Sequence, residues 1–461
     1  MTYVRFSLFI NARCATQIPS IMSQRSAIER KGWTYTPKIQ PSDFPAHHSS
    51  HKRPRSVSSS SINTGTSSNG RLPRDANYSD GDDGDEGYDE GGSDKNGNTD
   101  SPVKFDRYGF YISDPQSKGL SDDMNRLSLV EITRKREIKW LLMFQRWDDF
   151  IQKRWKKLRK RCRKGIPDSV RGRAWFYLCA GHKQKQRNPG LFSQLEQHPG
   201  DEKINEEIRK DLNRQFPSHE MFAEENGPGQ EDLYRILKAF SVVKPEIGYC
   251  QGQAPLASVL LMQMPAEDAF WCLIQICDHY VPGYFSPGLE AIQLHGLMLS
   301  SFVKRFYPPI YRLLKKHKID PVLYMTEWFM CFFARTLKWS CVLRIWDMFF
   351  CEGIVVVFKV ALILISSVLG RSEERAKCVS AYEVLYALKN IPTKYLTEEY
   401  LIEKVINFDL NERDLRKEFK EQKMKRKKEK ERLAQERQKA QSRSSMNVKH
   451  STGVSGNRST D

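Results

Sequence analysis

The chain has 461 residues, only 39% of them apolar, and a formal net charge of +18. That length suggests two to four domains, but the apolar share is below the usual ~45–50%, a count that includes glycine, so part of the chain cannot build a core. The basic excess suits an acidic partner (a nucleic acid, an anionic membrane or an acidic protein), and charge alone does not choose among them.

Ten cysteines occur without a Cys-x-x-Cys pair, and Cys272, Cys277, Cys331 and Cys341 sit among apolar residues, the pattern of buried thiols in a reducing, cytoplasmic setting. Cys277 and His279 have no second pair at zinc spacing, so no metal site is expected. The apolar run at the start is interrupted by Arg5, too weak for a secretory signal. Ile354 to Leu369, the longest apolar run, contains Lys359 and is shorter than the ~20 residues a membrane span requires, so it reads as a buried helix.

Residues 1–104 read as a disordered region. Ser56 to Ser60 belong to a serine-rich tract, Asp80 to Asp94 intersperse acids with glycines, and His47, His48 and His51 precede a short basic run. Residues 105–164 read as a helical, basic lead-in, with a long helix starting near Leu127 and running into the basic stretch Lys153 to Lys164, where Trp155 and Leu158 are available for packing. That stretch has no interleaved stacking aromatics, so a nucleic-acid partner is not expected; it reads as a solvated face or one that leans on an anionic membrane surface.

Gly165-Ile-Pro-Asp-Ser-Val-Arg-Gly-Arg-Ala-Trp175 opens the folded domain. Asp168 or Ser169 is expected to cap a helix that carries Arg171 and Trp175 on one face. Further on, Ile204, Ile208 and Leu212 recur at intervals of four and form one apolar stripe. Asp211 and Arg214 are three apart, and Pro217 stops the helix beyond them, so the carboxylate can brace an arginine at the helix exit. Such a guanidinium is suited to a phosphate, because its planar fork stays charged and binds oxygens in pairs.

Within Lys244-Pro-Glu-Ile-Gly-Tyr-Cys-Gln-Gly-Gln253, Gly248 and Gly252 flank Tyr249 and Gln251 and are expected to let the backbone turn sharply. A glutamine amide both donates and accepts, which is what orienting a water beside a phosphate requires. The later apolar segments, Phe270 to Cys277, Phe302 to Leu314, Met325 to Ala334 and Val342 to Phe350, have helical length, and no strand, glycine-rich loop and helix unit is present for a nucleotide. After Leu410 the spacing of Leu415, Phe419 and Met424 sustains no heptad seam; residues 411–440 read as a charged helix and 441–461 as a disordered tail.

In this order, Gly165-Ile-Pro with Arg171 and Trp175, Ile208-x-x-Asp211-x-x-Arg214 with Phe216-Pro217, and Tyr249-x-Gln251-Gly252 resemble the signature motifs of the TBC domain of Rab GTPase-activating proteins. Trp328 to Phe333 and Leu343-Arg-Ile-Trp-Asp347 are similar to its later helices, and the likeness covers about 165–375, with 376–410 completing the domain. The Gly-Tyr-Cys-Gln-Gly-Gln spelling is most similar to the ezrin-scaffold-linked subgroup, although Gln253-Ala254 stands where the common pattern has Met-Asn. Members of that subgroup can end in an apolar peptide for PDZ domains; the terminal Asp461 counts against such tethering.

The resemblance implies a two-lobed, all-α domain whose partner is a GTP-bound Rab-family GTPase and which takes part in vesicle trafficking. It implies no cofactor of its own, since GTP and Mg²⁺ belong to the GTPase. Arg214 would be the arginine finger and Gln251 the glutamine finger, with Asp211, Tyr249 and Gly252 supporting them and Arg171, Trp175 and Ile208 structural. The chain is thus expected in the cytoplasm and peripherally at membranes. The alternative is a non-catalytic adaptor that binds a GTPase or a membrane scaffold.

Overall fold

The computed structural model describes residues 105–112 and the backbone of 123–451, with side chains described for 105–112 and 130–439. The serine-rich and acidic stretches before 105, the histidines near 50 and the terminal Arg458-Ser-Thr-Asp461 lie outside the described residues. The chain is all-α: among the described residues there are helices and two isolated bridges, and no strand.

The lead-in is not one long helix. Phe105 to Ile112 is irregular; the Asp106 carboxylate accepts from the Tyr108 and Phe110 amides at 2.8 and 3.0 Å, and Phe110 bridges to His219. Three helices follow: α1 (Asp123–Phe144), α2 (Trp147–Lys153) and α3 (Trp155–Arg163). They are broken at Arg146 and Arg154, where φ is −128° and −123°. Leu158 of α3 is fully buried, whereas Trp155 is exposed.

A first group of helices comprises α4 (Asp168–Leu178), α5 (Gly181–Arg187), α6 (Leu191–Gln197), α7 (Glu202–Leu212), α8 (Glu220–Ala223), α9 (Pro228–Val243), α10 (Gln253–Leu261) and α11 (Ala266–Gln275). α9 is its centre, packing on α6, α7, α10 and α11. Neither expected cap of α4 forms: Pro167 occupies the cap, Asp168 pairs with Arg171, and the Ser169 hydroxyl bonds Glu137. Proline fixes the backbone for helix entry, which frees both side chains.

The second group comprises α12 (Glu290–Phe306), α13 (Pro308–Lys316), α14 (Val322–Met330), α15 (Trp339–Glu352), α16 (Val355–Leu369), α17 (Ser372–Ala376), α18 (Ala381–Lys389), α19 (Glu398–Asn407) and α20 (Glu412–Ser451). α16 is buried nearly throughout and packs on α12, α14, α15, α18 and α19. Its Lys359 donates to the Val405 carbonyl at 3.3 Å, and burial pushes its ammonium pKa down. No described helix is long and apolar enough to cross a membrane. α15 joins the two groups, packing on α3 and α4 as well as on α16 and α19.

Two long runs are shorter than their apolar pattern. Pro308 and Pro309 split Phe302 to Leu314 at Tyr307, and α14 ends at Met330, ahead of Phe332 and Phe333 in the left-handed region. At the other end α20 continues to Ser451, eleven residues into the stretch expected not to fold. Leu415 and Phe419 are buried, so the first turns of α20 belong to the domain rather than to a solvated tail.

Phe419 also walls His295 of α12, whose ring accepts or donates to the Tyr284 hydroxyl at 2.5 Å and lies against Phe358. Burial pushes this imidazole down to about 3. Its folded pKa lies below the unfolded value of ~6.5, so the stability it contributes is present above pH ~6.5 and is lost as pH falls toward 3. Between pH ~6.5 and ~5.5, wild type is expected to lose about 1 kcal/mol more than His295→Gln in chemical denaturation. Equal losses would show that His295 does not titrate as a buried neutral group.

Candidate functional site

The site begins at the end of α7. The Asp201 side chain caps the helix, accepting from Lys203 N at 2.9 Å and Ile204 N at 3.3 Å, and Ile208 and Leu212 turn into the core. This anchoring carries Asp211 inward while Arg214 falls in the turn just past the helix. Asp211 Oδ1 accepts from Arg214 Nε at 2.7 Å, and Arg214 Nη2 lies 2.6 Å from the same oxygen as an ion pair. The Arg214 side chain is 33% exposed and that of Asp211 6%, so a buried carboxylate holds an arginine that still reaches solvent.

The other oxygen of Asp211 is used as well. Tyr249 donates its hydroxyl to Oδ2 at 2.6 Å, from the loop after α9. Burial and the Asp211 charge push the Tyr249 phenol well above its ordinary pKa, so it remains a donor. One carboxylate thereby ties the helix exit bearing Arg214 to the loop bearing Gln251. Gln251 is half-buried, two residues from Tyr249, and its amide bonds no described residue.

The two glycines around this pair differ in role. Gly248 has φ +61°, a turn that favours glycine, and a Cβ there would lie 3.3 Å from Ile204. Gly252 lies in the turn before α10, but its ordinary φ of −70° does not require glycine. A Cβ on it would lie 2.8 Å from Met330 and 3.1 Å from Phe285, so close packing against α14 is what excludes a side chain. Gln253 is fully buried, and its Oε1 accepts from the Cys250 amide at 3.1 Å, bracing the loop from behind.

Two residues that the sequence reading did not single out complete the bracing. Gln215, fully buried, donates to the Asp211 carbonyl at 2.8 Å. Arg335, from the second helical group, donates to Gln215 Oε1 at 2.7 Å and to the Arg214 carbonyl at 3.3 Å. The adjoining backbone is strained: Phe216 has φ +43°, and Phe332 and Phe333 have +44° and +61°. Bulky residues hold such angles only where their surroundings enforce them, and such positions cluster at sites of function. Phe216 is held there against Trp339, with ring centroids 5.8 Å apart.

The Rab-GTPase-TBC domain family matches residues 168–369. The protein named TBC1 domain family member whacked, from Drosophila melanogaster, is 44% identical over 318 residues, which are 69% of this chain and 86% of that one. The chain belongs to the Rab-GTPase-TBC domain family. Human TBC1 domain family member 10B is 51% identical over 315 residues, 68% of this chain and 38% of that protein; mouse TBC1 domain family member 10A is 48% identical over 327 residues, 71% and 65%. The chain thus spans about two fifths of the 10B relative's length. Its fold is that of the Chlamydomonas flagellar RabGAP TBC domain, with a TM-score of 0.51 at 22% identity, covering 66% of this chain and all of that one.

The opening TBC motif converges on a different carboxylate. Asp347 of α15 is fully buried; its Oδ2 accepts from the Ile166 amide at 2.6 Å, and its Oδ1 from Trp175 Nε1 at 2.8 Å and Arg171 Nε at 3.2 Å. Arg171 also bonds Asp168 and the Ile166 carbonyl. Burial raises the Asp347 carboxyl to about 6, against the pull of Arg171 and the two N–H donors. Thus Arg171 and Trp175 do share a face, and what that face meets is the Trp-Asp pair of a helix far along the chain. Both are buried, away from solvent. Among the described residues no group of three or more His, Cys, Asp or Glu side chains could hold a metal ion.

Proposed function

We propose that this chain accelerates GTP hydrolysis by a Rab-family GTPase in its GTP-bound state, with Arg214 as an arginine finger and Gln251 as a glutamine finger supplied in trans. The carrying observation is the Asp211 carboxylate, which holds Arg214 on one oxygen and the Tyr249 hydroxyl on the other. A finger must arrive already oriented, since phosphoryl transfer is promoted by positioning and charge neutralisation rather than by covalent chemistry.

In this reading Arg214 neutralises charge on the γ-phosphate and the leaving oxygen, and Gln251 orients the attacking water. GTP and Mg²⁺ are the GTPase's own. Asp211, Tyr249, Gly252, Gln215 and Arg335 hold the two fingers; Ile208, Arg171 and Trp175 maintain the scaffold. Turning a Rab off in this way regulates vesicle traffic.

The test is phosphate release from a panel of GTP-loaded Rab proteins with the full chain added. Stimulation of one or a few Rabs is expected. No stimulation by a chain that still binds a GTP-loaded Rab would instead identify an adaptor. On a Rab whose own glutamine has been replaced, Gln251→Ala is expected to lower stimulation about 10²–10³-fold, the usual effect of deleting one oriented polar group from a transition-state site. Undiminished stimulation would remove Gln251 from the reaction.

A further inference from the structure

Residues 105–112 lie ahead of the stretch that matches the family, residues 168–369, yet they close on the turn that carries Arg214. Asp106 builds this segment. Besides its two side-chain bonds, its carbonyl accepts from the Gly109 amide at 3.1 Å, and its own amide donates to the Phe110 carbonyl at 2.8 Å. Phe105 and Tyr111 stack across the turn so formed, with ring centroids 4.8 Å apart.

The turn is tied to the chain just past the arginine. The Tyr111 amide donates to the Ser218 carbonyl at 2.9 Å and the Glu220 amide to the Gly109 carbonyl at 2.8 Å, on either side of the bridge between Phe110 and His219. Gly109 sits at φ +87°, and a Cβ on it would lie 2.7 Å from Glu220 Oε1 and 3.0 Å from His219 Nε2. Both the backbone angle and the close approach require glycine there.

This docking sets one ring in place. Phe110 lies 6.4 Å from Phe216, 5.2 Å from Trp339 and 4.8 Å from His219, centroid to centroid, so Phe216 is packed by the N-terminal turn as well as by α15. Phe216 needs that support, because its φ of +43° is unfavourable for a bulky residue and proline at 217 favours extended backbone before it. Arg335 holds the finger turn at the Arg214 carbonyl, and the rings hold it two residues on.

We propose that Phe110 is a positioning residue for the arginine finger: its ring keeps Phe216 in the left-handed conformation that lets the turn hold Arg214 in one direction. The proposal rests on the assignment of Arg214 as the finger. Without the ring, Phe216 relaxes toward extended backbone, the turn loosens, and the guanidinium is no longer presented in a single orientation. Phe110, Phe216 and Trp339 are all half-buried, so truncating Phe110 disturbs this turn more than it disturbs the core.

The test is single-turnover phosphate release from a GTP-loaded Rab that the wild-type chain stimulates, over a series of full-chain concentrations. Maximal rate and half-saturating concentration are then read separately, and rates are normalised to the fraction of chain that binds the GTP-loaded Rab, so that an unfolded fraction does not count as loss. Phe110→Ala is expected to lower the maximal rate about 10- to 100-fold, the cost of misplacing a reacting group by about 1 Å, with the half-saturating concentration within about twofold of wild type. Phe110→Leu, which keeps an apolar side chain against Phe216, is expected to restore much of that rate. Gly109→Ala unseats the same turn by backbone strain and is expected to act as Phe110→Ala does, which keeps the test open if Phe110→Ala folds poorly. An unchanged or raised maximal rate in these variants, or a loss confined to the half-saturating concentration, would overturn the proposal. Arg214→Ala is run beside them. If it is as active as wild type, the finger assignment falls and the positioning role with it; if it is inactive while Phe110→Ala keeps its full rate, the positioning role alone falls.

Discussion

Arg214→Ala is expected to reduce the stimulation of Rab GTP hydrolysis by about 10³–10⁵-fold, the range an arginine finger supplies, while leaving the fold intact. The expectation about the fold follows from position. Arg214 lies past the last turn of α7, its side chain is one third exposed, and Asp211 keeps its bond to Tyr249 when the guanidinium is gone. Arg214→Lys should restore little, because an ammonium is a point charge that cannot donate to Asp211 and still present a planar fork to phosphate. Single-turnover phosphate release at saturating chain concentration is the measurement, with binding to the GTP-loaded Rab measured in parallel. Unchanged turnover in Arg214→Ala would discard the finger assignment even if the wild-type chain stimulates strongly.

The second large effect concerns stability. Asp347→Ala is expected to cost about 3–5 kcal/mol, because it takes the buried carboxylate from the Arg171 guanidinium at the junction of the two helical groups and leaves it only the exposed Asp168 and the Ile166 carbonyl. It also strips the acceptor from the Ile166 amide and the Trp175 indole. Asp347→Asn should cost less, roughly 1–3 kcal/mol, since its carbonyl can still serve some of the three donors. Urea denaturation of the two variants against wild type decides the matter, and a loss below ~1 kcal/mol for Asp347→Ala would show that this node is not what joins the opening motif to α15.

Much of the site could be read along the chain because its chemistry is partly local. The three-residue step from Asp211 to Arg214 is a property of helical geometry, and their ion pair forms as that step predicts. The buried stripe of Ile208 and Leu212 follows from the interval of four, and the apolar run Ile354 to Leu369 does become a core helix with Lys359 inside it. Gln215 and Arg335 left no comparable trace. Arg335 bonds residues far away in the chain, and the four-residue step from Asp211 to Gln215 serves a side-chain-to-carbonyl bond that no apolar period marks. Gly252 was legible as a required glycine but not for the right reason, because φ and close packing leave the same letter in the sequence.

By itself, then, the sequence determined that this chain is helical, which helix faces near the site are apolar, and that an arginine and a carboxylate stand together at one helix exit. These follow from interactions between residues three or four apart, which any helix brings into register. The tertiary structure alone decided that Asp211 also takes the Tyr249 hydroxyl, that Arg171 and Trp175 close on Asp347, and that Arg335 crosses from the second helical group to the Arg214 carbonyl. A hydrophobic period reports that a face must be buried but not against what, and the pairing of polar groups far apart in the chain is set only when the helices pack.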